Sequence, residues 1–294
     1  MVSKKTKKSQ EKISIAVIGG SGVYQIEGMK VLREFFPNTP FGKPSDPITI
    51  GSYNGVQCAF LPRHGKGHRY LPSEIPQQAN FYALKMLGVE YVIGISACGS
   101  LKQELPPRHF IVPDQIIDRT KGRPSTFFGN GIVAHISFAR PFSETLSRLL
   151  FDSIRTVGVK ASDKGTYLCM EGPAFSTRAE SHLHRQMGCD VIGMTAIPEA
   201  KLARECEMSY ALMAMVTDYD CWKEDDEVSV QMVIECLMEN AENAKKVIAH
   251  ILPKISSIQN DQADALRGAI FTQPQVISSA MKKKLAPIIG KYIQ

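Results

Sequence analysis

At 294 residues, 44% of them hydrophobic, the chain is long enough to bury one large core, and nothing in its composition divides it into two domains. Its net charge of +6 sits at its ends: residues 1–12 carry +4 and residues 274–294 another +4, which leaves −2 for the body between them. A nucleic-acid binder spreads positive charge over a folded face, so basicity confined to two polar and mobile ends argues against that role.

Seven scattered cysteines without a C-x-x-C pair read as reduced thiols packed as small apolar groups, not as a disulfide framework or a zinc site. No apolar run reaches the length of a membrane span, and the N-terminal lysines lead into no signal-peptide pattern. The expected compartment is cytoplasmic, with nuclear presence left open.

After a basic, flexible tail over residues 1–12, a single domain is expected over 13–294. ISIAVI (13–18) reads as a strand buried on both faces, because it scarcely alternates with polar residues, and it runs into the glycine turn GGSG (19–22). ITIGSYNGVQCAFL (48–61) places Asn54-Gly55 between two extended runs, the strongest short hairpin signal. A helix is expected over 75–87 (IPQQANFYALKML), then strands at YVIGIS (91–96) and HFIVP (109–113). Residues 143–158 give a second helix with Ser143 as N-cap and Gly158 as its stop. YALMAMV (210–216) is a further strand, and the span 228–252 a long helix. The fold class is therefore α/β: a mixed, mainly parallel twisted sheet flanked by helices.

Three stretches carry chemistry. In the glycine turn, backbone amides and the Ser21 hydroxyl can approach an anion, although neither a Walker loop nor G-x-G-x-x-G is present. LPRHGKGHRYLPS (61–73) gathers Arg63, His64, His68 and Arg69 in a Gly- and Pro-rich loop, a second anion-binding candidate or else a solvated basic loop. In MVTDYDCWKEDDE (215–227), Asp218 and Asp220 follow a buried strand and should emerge at its carboxyl end, where alternation puts both on one side. No His or further acid at supporting spacing favours a metal.

GGSG, TPFGKPSD (39–46), RHG, SACGSL (96–101), DRT (118–120), EGPAFSTRAE (171–180), DVIGMTAIPEA (190–200) and TDYDCW (217–222) occur in one order and spacing, and together they resemble the 5′-methylthioadenosine phosphorylases of the trimeric purine nucleoside phosphorylase family. The resemblance covers about residues 13–252, and the segment 272–294 matches poorly. It implies phosphate-dependent cleavage of 5′-methylthioadenosine to adenine and 5-methylthioribose 1-phosphate in purine and methionine salvage. It implies inorganic phosphate as co-substrate with no cofactor or metal, and a homotrimer in which each site borrows from a neighbouring chain.

Residue by residue, the resemblance assigns phosphate contacts to Ser21, Arg63, His64, Ser96, Ala97 and Thr195. Met194 falls against the ribose, Phe175 and Ser176 beside the purine, and Asp218 and Asp220 face the base as its catalytic carboxylates. Val228 and Val230 line the pocket for the 5′-methylthio group, and His135 reaches it from the adjacent subunit. Ser21 and Ser96 stand where many relatives carry Thr, and Ala174 where Arg is often found. A relative acting on adenosine, methylthioinosine or 6-oxopurine nucleosides is the alternative, and a noncatalytic nucleoside-binding protein the alternative of another class.

Overall fold

The computed structural model describes residues 13–20, 26–223 and 230–293, with residues 230–233 by backbone alone. In chain order the elements are β1 (Ile15–Gly19), β2 (Lys30–Phe35), β3 (Ile48–Tyr53), β4 (Val56–Pro62), α1 (Gln77–Met86), β5 (Tyr91–Ser100), β6 (Phe110–Ile111), β7 (Gln115–Arg119), α2 (Glu144–Thr156), β8 (Ala161–Ser162), β9 (Thr166–Met170), α3 (Arg178–Gln186), β10 (Val191–Gly193), α4 (Ala196–Glu205), β11 (Ser209–Asp218), α5 (Val230–Ile251), α6 (Ser279–Lys284) and α7 (Ala286–Ile289).

β1 shows why a strand without polar alternation forms here. Ile15 and Val17 point into a core shared with Leu146, Leu150 and Ile154 of α2 and Val247, Ile248 and Ile251 of α5. Ala16 and Ile18 point the other way, into a core shared with Phe81 and Leu84 of α1 and Ala200 and Leu202 of α4. Successive side chains of a strand face opposite sides, so a sheet covered by helices on both faces selects apolar residues at every position. Each large apolar side chain buried this way stabilises the fold by about 1.5–3 kcal/mol relative to exposure.

The sheet is mixed, in the order β2-β3-β4-β1-β5-β10-β9-β7, with β11 pairing β5 and β6. β4, β1, β5 and β11 run parallel, and β5 is the long central strand that joins them to the antiparallel β10. The β3–β4 hairpin turns at Asn54 and Gly55, whose φ angles of 48° and 81° are those of the expected tight turn. Ser143 caps α2 by accepting from the Leu146 N–H at 3.1 Å, and Gly158 ends it at φ 84°. HFIVP contributes only the two-residue β6, because its register ends against Ala214 and Met215.

The basic C-terminal end corrects an expectation. Residues 274–293 are not a mobile tail: Leu285, Ile288 and Ile289 bury at helical spacing, and Tyr82 of α1 donates to the Lys284 carbonyl at 2.9 Å. Three of its four lysines, Lys282, Lys283 and Lys284, lie on α6, whose Met281 joins the core, and Lys291 pairs with buried Glu207 at 2.7 Å.

Candidate active site

The ends of β1, β4 and β5 form one edge of the sheet. Gly19 pairs in register with Pro62, and the Arg63 N–H donates to the Gly19 carbonyl at 3.1 Å, so β1 and β4 end side by side, Gly19 beside the start of the Arg-His-Gly loop. Open α/β sheets collect ligands outside such carboxyl ends. β5 lies beside β1 and runs on past its end, and Ala97 is exposed in a strand that is otherwise buried or nearly so. A lone exposed alanine in a central strand marks the floor of an opening.

Two hydroxyls flank that floor. Ser96 Oγ lies 3.3 Å from Thr195 Oγ1, where β10 gives way to α4, and donates to the Ala97 carbonyl at 3.0 Å. His64 follows Arg63 on the neighbouring loop, with its Nδ1 2.9 Å from the Tyr70 carbonyl. A carbonyl can only accept, so Nδ1 carries the proton and Nε2 is the bare nitrogen. Burial lowers the His64 pKa to about 4, against the Tyr70 bond that raises it, and the ring is neutral at pH 7.

The loop holding His64 is braced by the TPFGKPSD segment. Asp46 accepts from the Lys66 N–H, and Arg69 donates to the Ser45 carbonyl at 2.7 Å with Asp46 at 3.7 Å. Arg69 is thus engaged with this segment, while His68 stacks on His64 at 4.1 Å.

Arg63 is only 2% exposed. Its guanidinium donates from Nε to Glu199 Oε1 at 2.6 Å, from Nη2 to Glu199 Oε2 at 3.3 Å, and to the carbonyls of Ile95 and Ile18. It is built into the wall behind the hydroxyls as half of an ion pair rather than extended as a free fork.

The carboxylates come together by a different route from strand alternation. The β5–β11 register slips between Val216 and Asp218, a bulge that re-aims the strand end, and Asp220 then takes the left-handed region at φ 53°. Its N–H donates to Asp218 Oδ1 at 2.8 Å, and Thr217 Oγ1 donates to Asp218 Oδ2 at 2.7 Å. Asp220 accepts from Ser181 of α3; burial pushes its carboxyl pKa up, the Ser181 bond opposes this, and neighbouring Asp218 adds to the rise. Gly99 makes room for the pair: a Cβ there would lie 3.1 Å from Asp218 Oδ1 and 3.3 Å from Asp220 Cβ.

Met194 packs on Gly172, where a Cβ would meet its sulfur at 2.6 Å. Phe175 is 83% exposed on the loop after β9, and the adjacent Ser176 carbonyl accepts from Cys221. His135 stands edge-on to Phe271 at 5.0 Å, on a run of partly exposed residues outside this cluster. Ser21 and Val228 lie outside the described residues, as does the side chain of Val230.

Residues 14–253 match the family model described as the phosphorylase superfamily. The chain belongs to that superfamily. It is 52% identical over 285 residues to an S-methyl-5′-thioadenosine phosphorylase of Gloeobacter violaceus, covering 95% of each chain. A methylthioadenosine phosphorylase from an antarctic soil metagenomic library superposes with a TM-score of 0.90 at 47% identity, covering 95% of this chain and 99% of that one. A mutant of the adenosine/methylthioadenosine phosphorylase of Schistosoma mansoni, in complex with adenine, superposes at 0.83 with 35% identity, covering 89% of this chain and all of that one.

Several side chains that shape the site escape a reading of the sequence. Ser181 sits on α3, whose capping box at Thr177 and Glu180 is visible but whose inward face is not. Glu199 stands within a motif, and the signal that could have marked it is an acid inside an apolar helix start. Buried Arg123 donates to the carbonyls of Met194, Ile197 and Glu171 and to the Glu171 carboxylate, tying the Met194 strand end to the loop that carries Phe175.

Proposed function

We propose that this chain cleaves 5′-methylthioadenosine with inorganic phosphate, giving adenine and 5-methylthioribose 1-phosphate. The observation that carries this reading is the spacing of two unlike sites along β5. The hydroxyl pair gathers at Ser96 and the carboxylate pair at Gly99, three strand residues or about 10 Å apart. That is the span from an anion at the anomeric carbon to the far edge of a purine.

The chemistry follows from charge. As the bond from C1′ to N9 breaks, positive charge grows on the ribose and negative charge on the base. Phosphate, held by the glycine turn with Ser21, by Ser96, Thr195 and the Ala97 backbone, offers an oxygen that forms the new bond to C1′. His64, bare at Nε2, accepts a hydrogen bond from the O–H of a monoprotonated phosphate, so it selects that ionisation state rather than adding positive charge. Arg63, tied to Glu199, preorganises the wall and supplies a fixed field.

At the other end, Asp218 delivers a proton to N7 of the leaving base, and Asp220 accepts from the exocyclic amine. Met194 lies under the ribose, Phe175 with Ser176 covers the purine, and Val228 with Val230 takes the methylthio group. The reaction balances without a redox cofactor or metal.

In this reading the chain is a cytoplasmic homotrimer, and His135, exposed beside Phe271, is the residue that completes a neighbour's site. Mixing His135→Ala with Asp218→Ala subunits should then restore some of the sites.

Adenosine is the second substrate to weigh, because the Schistosoma relative is named for both. Product analysis with methylthioadenosine, adenosine and inosine, each with and without phosphate, tests the reading. Cleavage of methylthioadenosine without phosphate, or no cleavage at all, overturns it.

A further inference from the structure

Tyr167 on β9 is fully buried, and among the described residues its hydroxyl closes no hydrogen bond. A buried hydroxyl left unsatisfied destabilises the fold, so its retention calls for a reason. The ring runs along β10 from its register partner Val191 and crosses Gly193, where a Cβ would fall 1.9 Å from the hydroxyl oxygen. Gly193 is therefore obligatory for Tyr167 to reach past it, and no packing need alone explains a polar tip at the end of that reach. Ser96 on β5, the guanidinium of Arg63 and Tyr210 all lie near enough to act on that hydroxyl. Burial pushes the Tyr167 hydroxyl well above the usual tyrosine range, with Ser96 and Arg63 opposing only weakly, so it stays protonated and able to donate.

Ser96 is the other half of the argument. Its single proton points at the Ala97 carbonyl and its oxygen lies 3.3 Å from Thr195 Oγ1. To donate to an anion above Ala97, Ser96 must turn its proton away from that carbonyl, and its oxygen then needs a donor from below.

We propose that Tyr167 is a positioning residue of the anion site: its hydroxyl donates to Ser96 Oγ when Ser96 turns its proton toward phosphate. The inference rests on the reading of Ser96 as a phosphate contact. Tyr167 touches neither phosphate nor nucleoside and acts only through Ser96. No proton is exchanged; two hydrogen bonds are polarised in series, each strengthening the next.

The test is a cycle of Tyr167→Phe, Ser96→Ala and the double variant, with KM for phosphate and for methylthioadenosine measured separately and urea unfolding followed for each. Tyr167→Phe should raise the phosphate KM about fivefold to tenfold, the size of one net hydrogen bond, while the nucleoside KM stays within about twofold. In the Ser96→Ala background the same change should have no further effect on the phosphate KM. A Tyr167→Phe phosphate KM within about twofold of wild type, equal rises in both constants, or a full effect in the Ser96→Ala background each overturn the proposal, whereas an unchanged phosphate KM in Ser96→Ala alone overturns the reading of the anion site and the proposal with it.

Discussion

Arg63 and Glu199 form a buried ion pair across 136 positions of sequence, Nε to Oε1 at 2.6 Å, with exposures of 2% and 0%. The pair ties the loop after β4 to the start of α4, and Tyr210 and Gln77 complete the Glu199 carboxylate at 2.8 and 3.3 Å. The two segments that frame the opening are held at a fixed separation by this one contact.

Removing either partner strands a buried charge. Glu199→Gln and Arg63→Met should each cost about 3–5 kcal/mol in urea unfolding, and the Arg63→Met/Glu199→Gln double variant should be destabilised by clearly less than the sum. Additive losses would show that the two charges do not act as a pair.

Glu205 should make stability fall as pH rises. Burial raises its pKa from 4.5 to about 7, although its carboxylate accepts from Thr126 Oγ1 and the Phe127 N–H, both at 2.6 Å. Between those values the folded chain holds a proton that the unfolded chain has released. This contribution is therefore complete below about pH 4.5 and lost by about pH 7, on the order of 3 kcal/mol. Glu205→Gln keeps both contacts, since the Thr126 hydroxyl can turn to accept. Unfolding free energies from about pH 4.5 to about pH 7.5 should be flatter in that variant, and an identical slope would remove Glu205 as the source.

Gly99→Ala is expected to separate catalysis from folding. The added Cβ presses at 3.1–3.3 Å on Asp218, Ile192 and Asp220, a crowding relieved by shifts of a few tenths of an ångström. Such a shift misplaces both carboxylates without opening a cavity. Turnover should fall about tenfold with the midpoint of thermal unfolding nearly unchanged. Wild-type turnover would mean that the position of the pair is not critical.

The strands that sequence reveals are those buried on both faces, β1, β5 and β11, because their apolar runs leave no other reading. β7 (QIIDR) and β9 (TYLCM) carry polar residues or sit among them, and pairing defines them, β9 with both β7 and β10. The C-terminal lysines masked a helix whose apolar positions are few but correctly spaced.

In the site, Ser96, Thr195, Asp218 and Asp220 stand out through motifs. Ser181, Arg123 and Tyr167 do not, and Glu199 lies in a motif without standing out there, since each acts through a partner far away in sequence. Strand alternation also gave the wrong reason for the Asp218 and Asp220 pairing, which a bulge and a left-handed residue produce instead.

In the proposed function, that pairing is what should divide adenine-type from hypoxanthine-type substrates. With Asp218 as the group that protonates N7, Asp218→Ala should lower turnover by about a hundredfold or more and leave the phosphate KM nearly intact. Asp220 accepts from the amine more strongly when ionised, and burial opposes that form. Loss of the Ser181 bond should oppose it further, so Ser181→Ala should move the acidic limb of kcat/KM to higher pH. Asp220→Asn replaces an acceptor with a group that also donates, which should weaken methylthioadenosine cleavage and narrow its advantage over the 6-oxo analogue. All three variants are to be assayed on both nucleosides at saturating phosphate. Near-native turnover in Asp218→Ala, or a wild-type preference for inosine, would show that the base is recognised by other groups even though the fold and the anion site stand.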